Sequence, residues 1–436
     1  MRLAGWITAL AGSLGLAAAA QAADLTIATV NNADMIVMQK LSGEFEKANP
    51  GVHLKWVTLE ENVLRQRLTA DISTDSGQFD IMTIGLFEAP MWGKSGWLVP
   101  FTDPPASYDI DDVLKTVRDG LSGEGKLYAL PFYAESQMTI YRKDLFDKAG
   151  LTMPDQPTWE QIGAFAAKLH DPAHDQYGVC LRGKPGWGEN MGQITPVVNS
   201  YRGRWVDMEW KPQLDSQAWH DGVSQYVGLL QKYGPPGVAS NGYNETLALF
   251  ATGKCAMWVD ATVSAGFLNN PKESTVAGKL GYAHPPYGTV NHGNHYLWAW
   301  ALAVPKSSKQ QDIARKFIYW ATSKDYIKLV GETQGWVTVP PGTRKSTYDN
   351  PAYLQAAPFA QMTLDTIRTA DMDNPTVDPV PYRGISFMNI PEFQAIGTQV
   401  GQQMAAAIAG QKSVDAALAE SQAQVTQELR ESGYLK

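Results

Sequence analysis

The chain has 436 residues and a formal charge of −8, and its 36 Lys and Arg residues form no basic stripe, which excludes nucleic acid as a partner. Its 14 Trp and 18 Tyr, in an otherwise ordinary globular composition, point to recognition of something neutral and ring- or chain-like. The length exceeds what one ordinary core holds, so two lobes are expected.

The chain opens with Met1-Arg2, an apolar stretch of small residues and the A-x-A site Ala20-Gln21-Ala22, so residues 1–22 are expected to be a signal peptide cleaved after Ala22. Thr8, Gly12, Ser13 and Gly15 interrupt the apolar stretch and argue against an uncleaved membrane anchor. No cysteine near the junction offers a site for lipid attachment.

LTIATV (25–30) and VHLKWV (52–57) are β-rich, and between them Met35, Met38, Leu41 and Phe45 recur at helical spacing until Asn49-Pro50-Gly51. A helix from about Glu60 and the strand FDIMTIG (79–85) continue a β-α-β pattern, which predicts an open, mainly parallel sheet flanked by helices. Ligands of such sheets bind outside the carboxyl ends of the strands, where Asn31-Asn32, Glu60-Glu61 and Gly85-Leu86 lie.

A second alternating block begins near residue 136. Thr158-Trp159-Glu160-Gln161 has the form of a capping box for a helix through Leu169, and Gly234-Pro235-Pro236-Gly237 ends a helix from about Gln217. A helix over 244–251, the strands CAMWVD (255–260) and YLWAWALAV (296–304), and surface helices over 393–429 interrupted near Gly410 complete the pattern. No repeat or low-complexity linker separates the blocks, so the lobes are expected to exchange chain several times. Cys180 and Cys255 form an even pair, which in an oxidising compartment reads as a disulfide or, alternatively, as two buried thiols; neither sits in a C-x-x-C, so zinc is disfavoured.

No nucleophile elbow, P-loop or H-E-x-x-H occurs, and Gly186-Trp187-Gly188-Glu189-Asn190-Met191-Gly192 has its last glycine one place too late for a dinucleotide loop. Asp371, Asp373 and Asp378 lack the closing Glu of a calcium loop and carry Pro375 where it must flex, so they read as a solvated loop. His284, His292 and His295 lack a neighbouring carboxylate and read as surface residues. Neither metal nor cofactor is expected.

The aromatic and polar combinations are more informative. Trp298 and Trp300 fall two apart on a strand and so face one side, where a flat indole can lie against carbohydrate C–H groups, with core packing as the competing reading. Trp187, between two glycines and beside Glu189 and Asn190, is held on a loop as a second stacking candidate. Glu135 within PFYAESQMTIY and Asp260 at the end of CAMWVD are carboxylates suited to vicinal diols, or else caps and ion-pair partners. Arg383 is that partner or a direct donor to hydroxyl oxygens.

In order, LTIATVNN, EFEKANPGV, FDIMTIG, LYALPFYAESQMTIYRKDLFDKAGL with TWEQ, FATGKCAMWVD and WALAVPKSSKQQDIARKFIYWATS resemble the extracellular sugar-binding proteins of bacterial ABC importers. RGKPGWGENM, MWVDATVSAG and NHYLWAWALAVP are most similar to the polyol branch, the sorbitol- and mannitol-binding proteins. The resemblance implies an α/β fold of two lobes, each a mainly parallel sheet flanked by helices, joined by a multi-segment hinge, with lobe 1 over 23–133 plus 297–343 and lobe 2 over 134–296 plus 344–436. Carried over residue by residue, it implies a ligand site of Asn31, Asn32, Glu61, Gly85, Leu86, Tyr133, Glu135, Trp187, Glu189, Asn190, Asp260, Trp298, Trp300 and Arg383.

Maltose binders carry a charged pair after the first strand and an aromatic after the third, where this chain has Asn31-Asn32 and Gly85-Leu86; a small, linear, neutral ligand is therefore favoured. The implied protein is periplasmic, monomeric and non-enzymatic, delivering a sorbitol- or mannitol-class polyol to the permease subunits of an ABC importer. A pentitol or monosaccharide on the same fold is the nearest alternative. A secreted carbohydrate-active enzyme with Glu135 and Asp260 as acid and base is the other.

Overall fold

The computed structural model describes residues 23–436, and the expected signal peptide over 1–22 lies outside them. The first two β-rich runs form β1 (Ala23–Val30) and β2 (Val52–Leu59), paired in parallel along their whole length. The helical spacing between them buries Met35, Met38, Leu41 and Phe45, but in two helices, Ala33–Leu41 and Gly43–Ala48. The break falls at Ser42, whose hydroxyl donates to the Gln39 carbonyl at 2.7 Å and competes with the helical ladder. Helix Glu61–Ser73 is capped by the Glu60 carboxylate, which accepts the Asn62 and Val63 N–H groups, and leads to the fully buried β3 (Ile81–Ile84).

A small hairpin of β4 (Ser122–Gly123) and β5 (Lys126–Leu127) precedes β6 (Leu130–Glu135) and β7 (Gln137–Arg142). The later strands are β8 (Met257–Ala261), β9 (Leu280–Ala283) and β10 (Trp298–Ala303). They build two main sheets, ordered β2-β1-β3-β10-β6 and β8-β7-β9.

Strand direction refines the expectation of mainly parallel sheets, because each main sheet contains one reversed strand. In the first, β1, β2, β3 and β6 point one way and β10 runs against β3 and β6. In the second, β8 and β9 share a direction and β7 runs against both, so the named strands there pair only antiparallel. The cause is where the chain enters. Only Ser136 separates β6 from β7, so β7 begins at the cleft between the sheets and runs away from it. β10 re-enters the first sheet from β9 in the same sense.

Thr158 and Gln161 form the expected capping box of helix Trp159–Leu169. The run 186–192 belongs to no nucleotide loop: it is a turn feeding helix Asn190–Ser200, every residue of which is buried. The C-terminal helices Phe393–Ile408 and Val414–Glu431 correct the expectation of a surface tail. Phe393, Ile396, Val400 and Met404 are fully buried, and the pair packs on Asn190–Ser200 and Gln217–Tyr233. Cys180 and Cys255 form a disulfide with Cα atoms 5.8 Å apart. Parallel bridges from Tyr177 to Cys255 and from Cys180 to Trp258 bring the two together, and exclude the free-thiol alternative from this structure.

Candidate functional site

The carboxyl ends of β1, β2 and β6 and the starting end of β10 meet at one edge of the first sheet. Antiparallel register sets Trp298 opposite Glu135 and Trp300 opposite Tyr133, so the i, i+2 spacing on each strand places four side chains around one space. Asn32 after β1 and Glu61 after β2 join them, and Arg182, Trp187, Gly188, Gln193, Tyr243, Tyr296 and Ser386 close the far side. About 500 Å³ between these side chains is free of protein atoms, counting the part open to solvent.

Three tryptophans form the apolar wall. Trp187 and Trp298 pack edge to face with centroids 5.6 Å apart, and Trp298 and Trp300 do so at 5.7 Å. The Arg65 guanidinium stands 4.0 Å from the Trp187 ring and 4.9 and 4.8 Å from those of Trp298 and Trp300. Its orientation is fixed because Nε and Nη2 donate to Glu61 Oε1 at 3.1 and 2.9 Å and Nη1 donates to Glu88. The Glu88 carboxylate also accepts the Gly85 N–H at 2.9 Å.

The polar wall is built on a second buried ion pair. Arg182 Nε and Nη2 donate to the two oxygens of Asp260 at 2.8 and 2.5 Å, and Nη1 donates to the Gly188 carbonyl at 3.1 Å. Asp260 also accepts from Gln193 Nε2, Trp258 Nε1 and the Ala261 N–H. Glu135 differs, because among the described residues its buried carboxyl has no hydrogen-bond donor. Burial pushes it well above the usual carboxylate range; Arg182 opposes that shift, and Asp260, Glu61 and Asp34 reinforce it. Glu189, behind Arg182, is pushed up to about 7, again chiefly by burial against the opposing charge of Arg182. Trp187 Nε1 and Ser386 Oγ are buried on the cavity wall without a protein partner among the described residues.

Of the expected residues, Asn32, Glu61, Tyr133, Glu135, Trp187, Trp298 and Trp300 lie together on this wall. The others do not. Asn31 is exposed and offers its carbonyl to Asn244 Nδ2 at 3.0 Å. Gly85 lies under the indole of Trp298, where an added Cβ would fall 1.9 Å from the ring, so it makes room for the wall instead of contacting a ligand. Leu86 is core, packed on Gly120. Glu189 accepts the Tyr243 N–H at 3.1 Å and lies 3.5 Å from Arg182.

Asn190 ties its loop to the C-terminal helix, with Nδ2 donating to the Gly401 carbonyl at 2.8 Å. Asp260 is spent on Arg182 and does not reach the wall, a correction to its reading as a diol acceptor. Arg383 is also corrected, because its Nε pairs with Asp373 at 2.5 Å in the loop read as solvated. Sequence reasoning missed Arg65, Arg182, Gln193, Tyr243, Tyr296 and Ser386. Arg65 alone carried a local signal, four residues after Glu61 on one helix face.

The lobes meet around the cavity. Gly188 approaches Glu61 so closely that an added Cβ would lie 2.1 Å from its Oε1. Lys184 Nζ donates to Glu60 at 2.7 Å and Asn62 Nδ2 to the Pro185 carbonyl at 3.3 Å, both across the cleft.

Residues 31–328 match the family model described as bacterial extracellular solute-binding protein. A mannitol-binding protein of Pseudomonas aeruginosa is 54% identical over 427 residues, 98% of each chain. The crystal structure of an ABC transporter solute-binding protein from Agrobacterium vitis with bound D-mannitol superposes with a TM-score of 0.93 at 56% identity, covering 95% of this chain and 100% of that one. Another, from Agrobacterium radiobacter in complex with ribitol, gives a TM-score of 0.83 at 27% identity, with coverage of 94% and 99%.

Proposed function

We propose that this chain, which belongs to the bacterial extracellular solute-binding proteins, captures a small neutral alditol of the mannitol and sorbitol class in the periplasm and hands it to the membrane permease of an ABC importer. The observation that carries the ligand reading is the wall itself. Three indoles supply flat apolar faces, while among the described residues Trp187 Nε1 and Ser386 Oγ are buried without a protein partner and the Glu135 carboxyl has no hydrogen-bond donor, so a molecule with hydroxyls along a short carbon chain meets both. Relatives whose names or bound ligands are mannitol and ribitol support an alditol in particular.

Delivery without chemistry fits the same geometry. The carboxylate pair that a glycosidase reading requires loses Asp260 to Arg182, which leaves Glu135 without that partner. Residues of both lobes line the cavity, so binding and closure favour one another, and the closed shape is what a permease can recognise. A thermal-shift panel of hexitols, pentitols and hexoses tests the reading. Mannitol or sorbitol is expected to raise the melting midpoint most, and a larger rise with a hexose would overturn the alditol assignment.

A further inference from the structure

The cavity has two cations on its wall, and both are already paired. Arg65 donates from all three nitrogens to Glu61 and Glu88. Arg182 donates from all three to Asp260 and the Gly188 carbonyl. Glu135 is left as a buried carboxyl on the wall with neither a cation nor a hydrogen-bond donor of its own among the described residues. Arg182, already bound to Asp260, is the cation that acts on it; the remaining groups that do so, Asp260, Glu61 and Asp34, are acids, and those that feel its charge in turn, Tyr133, Tyr243 and Tyr296, bring no cation.

Burial disfavours the ionised form of Glu135, and a neutral hydroxyl brings no charge to offset that cost. An ammonium supplies both the donor and the countercharge that burial makes costly to lack. A carboxylate on the ligand would do the reverse and add an unpaired anion to a space whose cations are already bound.

From this juxtaposition we infer that the site takes amino-alditols, in which an ammonium replaces a terminal hydroxyl, and takes them more tightly than the parent alditol, with the ammonium seated on Glu135. The same arrangement discriminates against aldonates, whose terminal carboxylate meets Glu135. The inference rests on the alditol reading above and deepens it, from neutral polyols to a class sorted by charge.

The test is calorimetric titration of the intact mature protein with mannitol, its terminal amino-deoxy derivative and mannonate at neutral pH. The two ends of mannitol are equivalent, so one terminal amine samples both orientations. The amino derivative is expected to bind about tenfold tighter than mannitol and mannonate at least about tenfold weaker, the scale of one charge-assisted hydrogen bond gained or opposed. In Glu135→Gln the preference for the amine is expected to vanish. An amine that binds no tighter than mannitol to the unaltered protein overturns the inference with no variant needed. A preference that survives in Glu135→Gln overturns the assignment to Glu135. Failure of mannitol, sorbitol and ribitol alike would instead be failure of the alditol reading, while mannitol binding with no gain from the amine is failure of this inference alone.

Discussion

Buried charge decides more at this site than its polar residue types do. Asp260 and Glu135 read alike in sequence, each a carboxylate in an apolar run, yet Asp260 is bound by Arg182 on two oxygens and Glu135 by nothing among the described residues. The difference was illegible because Arg182 lies 78 positions from Asp260 and no local pattern joins them. Asp260→Asn should therefore lower the stability of the ligand-free protein by about 3 kcal/mol, the low end for removing one partner of a buried ion pair because Glu189 stays 3.5 Å from Arg182, and weaken alditol binding by loosening Arg182. Chemical denaturation and calorimetry on the one variant check this; unchanged ligand-free stability with reduced affinity would return Asp260 to the cavity wall. Glu135 predicts a pH signature. Its folded pKa is raised by burial, so the stability it contributes is fully present below the ordinary carboxyl range and is lost as pH rises through the raised value. Ligand-free Glu135→Gln should accordingly match the unaltered protein in acid and exceed its stability increasingly as pH rises. Parallel stability curves would show that Glu135 is solvated. The indoles of Trp298 and Trp300 were legible because the i, i+2 period of a strand needs no distant partner to be read.

Single elements owe their placement to where the chain crosses. The alternating pattern located β1, β2, β3 and the helices between them, since each β-α-β unit is a local signal. It also placed the start of the second block near residue 136, where the chain crosses at Ser136, but it did not show the reversal of direction there, because PFYAESQMTIY is one continuous β-rich run. That crossing makes β7 a reversed strand and sets Glu135 on the cavity wall. The C-terminal helices looked like surface because Ala and Gln dilute the apolar stripe; the small residues instead permit close packing, as at Gly401, where an added Cβ would meet Asn190 Oδ1 at 2.7 Å. Cys180 and Cys255 hold the segment 177–180 beside β8, the strand that carries Asp260, across a separation of 75 residues. Closing a loop of that size is worth roughly 2 to 4 kcal/mol, so the reduced protein should unfold at correspondingly lower denaturant than the oxidised one. Coincident transitions, or two free thiols titrating in the denatured, unreduced protein, would contradict the bridge.

Over the whole molecule, affinity divides into contacts with ligand and contacts between lobes. Lys184 to Glu60 at 2.7 Å joins the lobes without lining the cavity, and its side chains are 24% and 39% exposed, so the pair holds the closed form weakly. Lys184→Met should weaken every ligand by about two- to fivefold, mainly through faster release, and leave their ranking unchanged, since a partly exposed ion pair is worth at most about 1 kcal/mol. A changed ranking in stopped-flow and equilibrium titrations would place Lys184 against the ligand. Binding of a neutral alditol in the tryptophan-walled cavity is checked by calorimetric titration of the mature protein with D-mannitol. Saturable one-to-one binding is expected, with a negative heat-capacity change from burial of the ligand against the indoles. No detectable heat at any temperature, together with an unmoved melting midpoint at saturating mannitol, would contradict it.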